Sequence, residues 1–248
     1  MRVSVALPQR LGDDLVERAR TVEALGFDGV WCFDHLIPLG DPRGPATEAT
    51  AALGAVASAT ERVTVGPLVM RAGLRPVAVT AAIARTLAAV APGRAVVGLG
   101  AGDRLTRPET ERFGLDFPGL AGRVERLAEA VAAVRATGVP VWVGGRHPAV
   151  VEIASGADGW NLWEVPPGEV ATLAAGWTGG TLSWGGRVAP LGGRPDLALD
   201  GPETTRLALA ELAAAGVVEV TLTPVPADEP ERLEDLAELV IGGPPRVG

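Results

Sequence analysis

Several side chains that enzymes often use are missing from this sequence. All 22 basic side chains are arginine, and the absence of lysine excludes Schiff-base chemistry and the G-x-x-x-x-G-K phosphate loop. No tyrosine is present, which removes the phenol as an acid catalyst. The two histidines, His35 and His147, stand far apart and outside any H-E-x-x-H pattern, so the sequence predicts no metal site.

Cysteine and long apolar runs are equally scarce. Cys32 is the single cysteine, so no internal disulfide can form, and we interpret it as a small buried hydrophobic residue. We expect no signal peptide before the first apolar segment, and no apolar run reaches the ~18 residues of a membrane span. The net charge of −8 argues against a nucleic-acid partner. We therefore expect a cytoplasmic homodimer that acts on a small molecule, without membrane or nucleic-acid partners.

What the sequence does contain is a regular alternation of apolar runs and amphipathic segments. Asp13 or Asp14 can cap the first helix, and Pro76, Pro202 and Pro230 stand where further helices should begin. The 47% hydrophobic content is ample for a core. Eight such units without a break in composition predict an α/β fold of TIM type, a closed (β/α)8 barrel formed by residues 1–248 as a single domain. The predicted strands are 3–8, 29–34, 63–69, 95–100, 140–143, 159–162, 181–184 and 218–223.

An open, doubly wound sheet is the alternative fold. The glycine pattern at 98–102 does not support it, because the third glycine comes one residue too early for the dinucleotide-binding fingerprint. The first predicted turn, at 8–11, has no glycine at all. The Gly-rich stretch 176–195 gives the least regular pattern of the chain.

In such a barrel, the site is built from the residues that follow the strands. The single glutamine, Gln9, and the single asparagine, Asn161, stand at such positions, as do both histidines. His35 could transfer a proton near neutral pH, and Asp34 could fix its tautomer or bind a loop amide. A histidine that only caps the strand is the alternative.

Glycines mark two further strand ends. Gly100 and Gly102 would let the backbone approach a flat ring closely, and Asp103 beside that ring could act as an acid if burial raises its pKa. A turn aspartate is the alternative for Asp103. Gly144 and Gly145 precede a helix and offer amides to an anion, with added charge from Arg146, unless they form an ordinary turn. Trp163 either stacks on a ligand or belongs to the core.

These segments resemble the bacterial luciferase-like superfamily, whose barrels bind flavin or deazaflavin. The resemblance covers most of the chain, and Asp103 is similar to the acidic residue of the deazaflavin-dependent branch. It implies hydride transfer between coenzyme F420 and a small organic substrate, phosphate binding by glycine amides, and a cis peptide at Leu68-Val69. The segments that carry it are 23–31, 34–35, 59–66, 75–76, 93–102, 139–145 and 157–161.

The expected site residues follow from the strand ends and the resemblance together. His35 and Asp103 are the expected catalytic residues. The expected cofactor-binding residues are Asp34, Leu68, Val69, Gly100, Gly102, Gly144, Gly145, Arg146 and Asn161.

Two departures keep other functions open. Arg135 stands only four residues before Val139, where the family usually carries a long segment that covers the substrate, and Arg75 replaces a common asparagine. An FMN-dependent monooxygenase that works with a separate reductase is therefore one alternative. A cofactor-binding barrel without turnover is the other.

Overall fold

The computed structural model describes residues 1–8, 10–12, 14–38, 44–225 and 231–242. Gln9, Asp13 and Pro230, which the sequence singled out, lie outside these residues. The strands are β1 (Arg2–Leu7), β2 (Gly29–Cys32), β3 (Thr64–Pro67), β4 (Met70–Arg71), β5 (Val97–Gly100), β6 (Val141–Gly144), β7 (Gly159–Trp163), β8 (Thr181–Ala189), β9 (Leu199–Asp200) and β10 (Glu219–Pro224).

Helices follow the strands along the chain. They begin where the sequence predicted: the Asp14 carboxylate accepts the Glu17 N–H at 3.0 Å, Pro76 precedes the third helix, and Pro202 lies in the first turn of the eighth. A 3-10 turn covers Arg104–Thr106. The helices are α1 (Leu15–Ala24), α2 (Ala49–Ala59), α3 (Val77–Val90), α4 (Arg107–Arg112), α5 (Leu120–Arg135), α6 (Pro148–Ser155), α7 (Pro167–Leu173), α8 (Gly201–Ala214) and α9 (Glu231–Val240).

All strands pair in parallel in the order β3-β2-β1-β10-β8-β7-β6-β5-β4, with β9 beside β8. The sheet closes at Val65 of β3, which pairs with the residues that lead into β5: its N–H donates to the Arg94 carbonyl at 2.9 Å. The Val65 carbonyl in turn accepts the Val96 N–H at 3.1 Å. The sheet is therefore a nearly closed barrel, and the predicted TIM-type fold is confirmed.

The short strand β9 was not predicted, and two predicted strands differ by more than two residues at one end or in their continuity. The third predicted strand is divided into β3 and β4 by a cis peptide between Leu68 and Val69, at the position that the resemblance implied. The strand predicted at 181–184 continues to Ala189. Its glycines had suggested a loop, but a Cβ on Gly185 would lie 2.4 Å from the Trp163 ring. These glycines are required by ring packing, and they do not end the strand.

Alternate residues of the strands form two separate apolar clusters. Val5 and Leu7 of β1 belong to the large cluster shared with the helices. Ala6, Trp31 and Trp142 belong to a small cluster inside the barrel, where the two indole rings lie 5.0 Å apart. Since successive side chains of a strand point to opposite faces, this division identifies the inner face of each strand.

Candidate active site

The candidate site lies at the carboxyl ends of the strands, where β2 leads into His35 and where α4 begins. The His35 Nδ1 atom lies 3.0 Å from Oε2 of Glu109, the third residue of α4. Glu109 is 8% exposed and His35 is half-buried. A buried carboxylate from a different βα unit therefore orients the imidazole.

The surroundings of Glu109 keep its carboxyl group ionised. Its Oε1 atom accepts the N–H groups of Leu36 and Ile37, the second at 3.1 Å, and lies 3.0 Å from Arg71 Nη2. Burial by itself would raise the pKa of Glu109, but the His35 hydrogen bond, the Arg71 charge and the Leu36 amide outweigh it and lower that pKa. An ionised carboxylate only accepts hydrogen bonds, so Nδ1 of His35 donates the proton of this hydrogen bond.

Asp34 holds the other end of this network. Its carboxylate is 2% exposed and makes two hydrogen bonds to Arg75, of 2.8 and 2.9 Å. It also accepts the backbone N–H of Arg71 at 3.0 Å. Of the two roles predicted for Asp34, the structure contains the bond to a backbone amide, and Glu109 is the residue that orients His35.

Arg75 explains one departure from the family pattern. Besides Asp34, it binds Oε1 of Glu48 at 2.6 Å, and Glu48 caps α2 by accepting the Ala51 N–H. A guanidinium can bridge two carboxylates in this way, whereas an asparagine, which the resemblance implies at this position, carries no charge. Arg75 thus connects the end of β2 to the start of α2.

Asp103 lies in a turn, which is the alternative that the sequence left open for this residue. Its Oδ1 atom accepts the N–H groups of Leu105 and Thr106, at 2.9 and 3.1 Å, and caps the 3-10 turn. The residue is exposed, so the burial that its predicted role as an acid required is not present. Gly102, directly before it, has a φ of 72°, a conformation that suits glycine.

The sequence predicted a flat ring next to the strand-end glycines, but in the structure their neighbour is Val69. A Cβ on Gly100 would lie 2.6 Å from a methyl carbon of Val69, and a Cβ on Gly144 would lie 2.9 Å from the other. Leu68 is buried in the inner cluster, while Val69 is half-buried. The space above these glycines is therefore filled by Val69, and a ring could approach only above that side chain.

The segment after β6 holds the predicted anion-binding residues. Gly145 has a φ of 136°, and its N–H donates to the Asn161 carbonyl at 3.3 Å. Arg146 is exposed. His147 caps α6, since its Nδ1 atom accepts the Ala149 N–H at 3.3 Å. The second histidine therefore has a structural contact and lies in a different turn from His35.

Asn161 points into the barrel beneath this segment. It is 2% exposed, and its side-chain amide donates to the Ser183 hydroxyl at 3.0 Å. Nearer the mouth, the rings of Phe33 and Trp163 meet edge to face at 5.3 Å, and both are half-buried. Together with Val69, these rings give the mouth an apolar wall beside His35.

Glu109 and Arg71 were not predicted as site residues. Pro108, in the first turn of α4, was the only local signal near Glu109, because proline favours the start of a helix. Nothing in the sequence connected this glutamate to a histidine 74 positions earlier. Such pairs depend on which βα loops meet at the rim, and this follows from the closed barrel.

The structure also bears on metals and membranes. Among the described residues, no group of three or more His, Cys, Asp or Glu side chains could hold a metal ion. None of the helices in the described ranges has the length and apolar character needed to cross a bilayer.

A profile of the luciferase-like monooxygenase family matches residues 1–138. A curated relative from Intrasporangium calvum, named F420-dependent glucose-6-phosphate dehydrogenase, is 38% identical over 123 residues, which are 49% of this chain and 37% of the relative. The chain thus spans well under half the length of that relative.

Solved structures agree on the fold. An F420-dependent secondary alcohol dehydrogenase in complex with an F420-acetone adduct superposes with a TM-score of 0.79, at 18% identity, over 97% of this chain and 99% of that one. The monooxygenase RslO1 from Streptomyces bottropensis gives 0.75, at 17% identity, over 98% and 99% of the two chains. Since the family profile covers more than half of the sequence, the chain belongs to the luciferase-like monooxygenase family.

Proposed function

We propose that this protein is an oxidoreductase that transfers a hydride between coenzyme F420 and a small organic substrate. The observation that carries the proposal is the His35–Glu109 pair at the barrel mouth, with Nδ1 and Oε2 3.0 Å apart. The partial matches to relatives named for F420, and the fold shared with an F420-dependent alcohol dehydrogenase, support the choice of cofactor.

The mouth suits a flat, partly apolar ring. Val69, Phe33 and Trp163 are half-buried there and offer apolar surface, and His35 lies beside them. We propose that Val69 and the neighbouring Leu68 form the floor beneath the ring. The remaining residues proposed to line the cofactor site are Asp34, Gly100, Gly102, Gly144, Gly145, Arg146 and Asn161.

The cofactor phosphate is proposed to lie at the turn after β6. The 3.3 Å bond from the Gly145 N–H to the Asn161 carbonyl is long for a hydrogen bond between backbone groups, so a phosphate oxygen could replace the carbonyl. Arg146 is exposed beside this turn and would add positive charge.

The proposed role of His35 is to move the proton that accompanies the hydride. Bound F420 would supply a ring carbon that accepts or donates the hydride. When an alcohol is oxidised to a carbonyl, Nε2 of His35 takes the hydroxyl proton, and in the reverse reaction it returns the proton to the carbonyl oxygen. Glu109 stabilises the imidazolium in between, because it stays ionised within hydrogen-bond distance.

Asp103 is the alternative proton carrier. Both of its capping bonds use Oδ1, and within the described ranges no hydrogen bond is recorded for Oδ2. It is exposed at the same rim, so it could exchange protons with solvent. We rank it second because no group like Glu109 orients it toward the mouth.

An FMN-dependent monooxygenase is the second candidate function. It is favoured by the name of the matching family and by the fold shared with the monooxygenase RslO1. Such an enzyme would consume oxygen when supplied with reduced FMN, whereas the F420 enzyme would not.

Binding titrations with F420 and FMN, each added separately to the purified protein, test the proposal. We expect F420 to bind more tightly and to be reduced by a small alcohol or sugar in a His35-dependent reaction. Tighter binding of FMN together with oxygen consumption would establish the monooxygenase instead. Binding of F420 without turnover of any alcohol or sugar would leave a cofactor-binding barrel.

We also propose a cytoplasmic homodimer that acts on small molecules. The net charge of −8 and the buried Cys32 thiol suit a reducing compartment without a nucleic-acid partner. Leu11 and Leu105 are 65% and 88% exposed, which suits a contact surface. Light scattering of the purified protein would give the oligomeric state.

A further inference from the structure

Four charged side chains near His35 contact one another in turn, and the signs of their charges alternate. The Glu109 carboxylate lies 3.0 Å from the Arg71 guanidinium. Arg71 is joined to Asp34, because its backbone N–H donates to the Asp34 carboxylate and its Nε donates to the Asp34 backbone carbonyl, both at 3.0 Å. Arg75 binds the Asp34 carboxylate at 2.8 Å. We call Glu109, Arg71, Asp34 and Arg75 the rim cluster.

The charges of the rim cluster cancel, since it contains two carboxylates and two guanidinium groups. None of the four side chains is more than 14% exposed, so water screens these charges weakly. The imidazole of His35, 3.0 Å from Glu109, therefore faces a neutral cluster and not a lone buried carboxylate. A lone carboxylate in this position would hold a second proton on the imidazole far more strongly, because an opposite charge nearby favours the protonated form.

The guanidinium of Arg71 is fixed where it compensates Glu109. Its Nε is bound to Asp34, and its Nη1 donates to the Thr110 hydroxyl at 3.4 Å. Its buried Nη2 has no hydrogen-bond partner among the described residues, so the contact with Glu109 is an ion pair. Arg71 thus acts on Glu109 by its charge, and its other contacts keep that charge in place.

The remaining charged groups around His35 are more exposed. Glu48, which binds Arg75, is 44% exposed, and Asp103 is exposed in its turn. On the α4 side, the charged residues are also exposed, so water and salt screen them. They are Arg104, Arg107, Glu111 and Arg112. Within the described part of the chain, Arg71 is therefore the buried cation that contacts the His35–Glu109 pair.

We propose that Arg71 is a positioning residue that sets the pH at which the His35–Glu109 pair takes up a proton. With Arg71 in place, the pair releases this proton readily and leaves Nε2 of His35 free to accept one from the substrate. Without Arg71, one guanidinium would face two carboxylates, and the pair would keep the proton up to a higher pH. The importance of this for turnover rests on the proposed function, in which His35 moves the proton that accompanies the hydride.

NMR titration of the histidine rings tests the proposal without any cofactor, because the chain has only two histidines. We expect Arg71→Met to raise the midpoint pH of the His35 titration by about one pH unit or more. His147 caps α6 in a different turn and is the internal reference, so its midpoint should stay the same. Arg71→Lys keeps a positive charge and should restore most of the difference, and Arg85→Met, at an exposed position of α3, should change neither midpoint. Equal His35 midpoints in the unmodified protein and in Arg71→Met would overturn the proposal.

A double variant keeps the test valid if Arg71→Met does not fold. Removing both charges of a buried ion pair is milder than removing one, so we expect Arg71→Met/Glu109→Gln to fold. Its His35 midpoint should lie above that of Glu109→Gln alone, because the single variant keeps the Arg71 charge uncompensated near the imidazole. A midpoint at or below that of Glu109→Gln would refute the role of Arg71.

The pH dependence of turnover separates this role from a structural one. Oxidation of an alcohol requires a free Nε2, so the rate should fall on the acidic side, and in Arg71→Met this fall should move to higher pH together with the NMR midpoint. The rate at high pH should change little, whereas a structural role would lower it at every pH. A shifted midpoint without any turnover of F420 supports the role of Arg71 and refutes the F420 function. An unshifted midpoint with normal F420 turnover refutes the role of Arg71 and leaves the proposed function standing.

Discussion

Arg75 holds the buried carboxylate of Asp34 through two parallel hydrogen bonds, of 2.8 and 2.9 Å. Only 14% of the Arg75 side chain and 1% of the Asp34 side chain are exposed, so solvent screens this pair weakly. The pair fixes the residue directly before His35, and the position of the imidazole therefore depends on it.

Substitution of Arg75 by methionine should destabilise the fold. The Asp34 charge would stay buried, and the Arg71 N–H would be its one remaining donor among the described residues, which costs about 3 kcal/mol of unfolding free energy. Urea unfolding followed by circular dichroism measures this loss. Arg85→Met, at an exposed position of α3, is the control and should change stability by less than about 0.5 kcal/mol. Equal stability of the two variants would mean that Asp34 is solvated or protonated.

Gly100→Ala should destabilise the barrel through a clash with Val69. The new Cβ would lie 2.6 Å from a Val69 methyl carbon, and such overpacking costs about 1–3 kcal/mol. Val69→Ala removes the clashing methyl groups, so the double variant should regain most of that loss relative to Val69→Ala alone. Chemical denaturation of the four proteins gives the coupling energy. Additive effects would show that Gly100 has another role.

His35→Ala should lower turnover about 10²–10⁴-fold with little change in cofactor affinity, as expected for the loss of a general acid–base. Glu109→Gln should also lower turnover, because the amide cannot stabilise the imidazolium. Since Glu109 acts through His35, the double variant should be no slower than His35→Ala. Steady-state rates with F420 measure all three. A further fall in the double variant would mean that Glu109 contributes independently.

The contributions of two buried glutamates to the unfolding free energy should change with pH in opposite directions. Burial raises the pKa of Glu219 despite the nearby Arg2 charge, whereas the pKa of Glu109 is lowered because its partners outweigh burial. A raised pKa gives stability that is present below the unfolded value, near 4.5, and lost as pH rises. A lowered pKa gives stability that is present above that value and lost as pH falls through the folded pKa.

Two glutamine variants test these expected pH dependences. From pH 4 to 8, Glu219→Gln should gain stability relative to the unmodified protein, and Glu109→Gln should lose it. Urea unfolding at three pH values measures both differences. Parallel curves for Glu219→Gln would mean that Arg2, Ser4 and Trp31 compensate its charge fully.

The strands were predictable because a parallel sheet buries both faces, which leaves continuous apolar runs in the sequence. The helix starts at Asp14 and Pro76 were predictable because capping chemistry is local. The end of β8 was not predictable, because glycine is typical of turns and the sequence does not show that Gly185 packs against the Trp163 ring.

The same distinction applies to the candidate site. Asp34 and His35 come within three residues of the end of β2, so the sequence could place them at the rim. Their partners, Glu109 and Arg75, come from distant positions and are brought there by barrel closure. The interior glycines were interpreted as space for a ring, because a sequence does not reveal that Val69 would turn inward over them.

Because Val69 lies over the two glycines, its side chain determines the depth of the mouth. Gly100 and Gly144 contribute no atoms beyond the backbone, so the Val69 methyl groups form the surface above them. In the proposed function, these methyl groups set the height of the floor beneath the ligand. A smaller residue at this position would deepen the mouth, and a larger one would make it shallower, with every strand left in register. Selection for substrates of a different size could therefore act on a single codon.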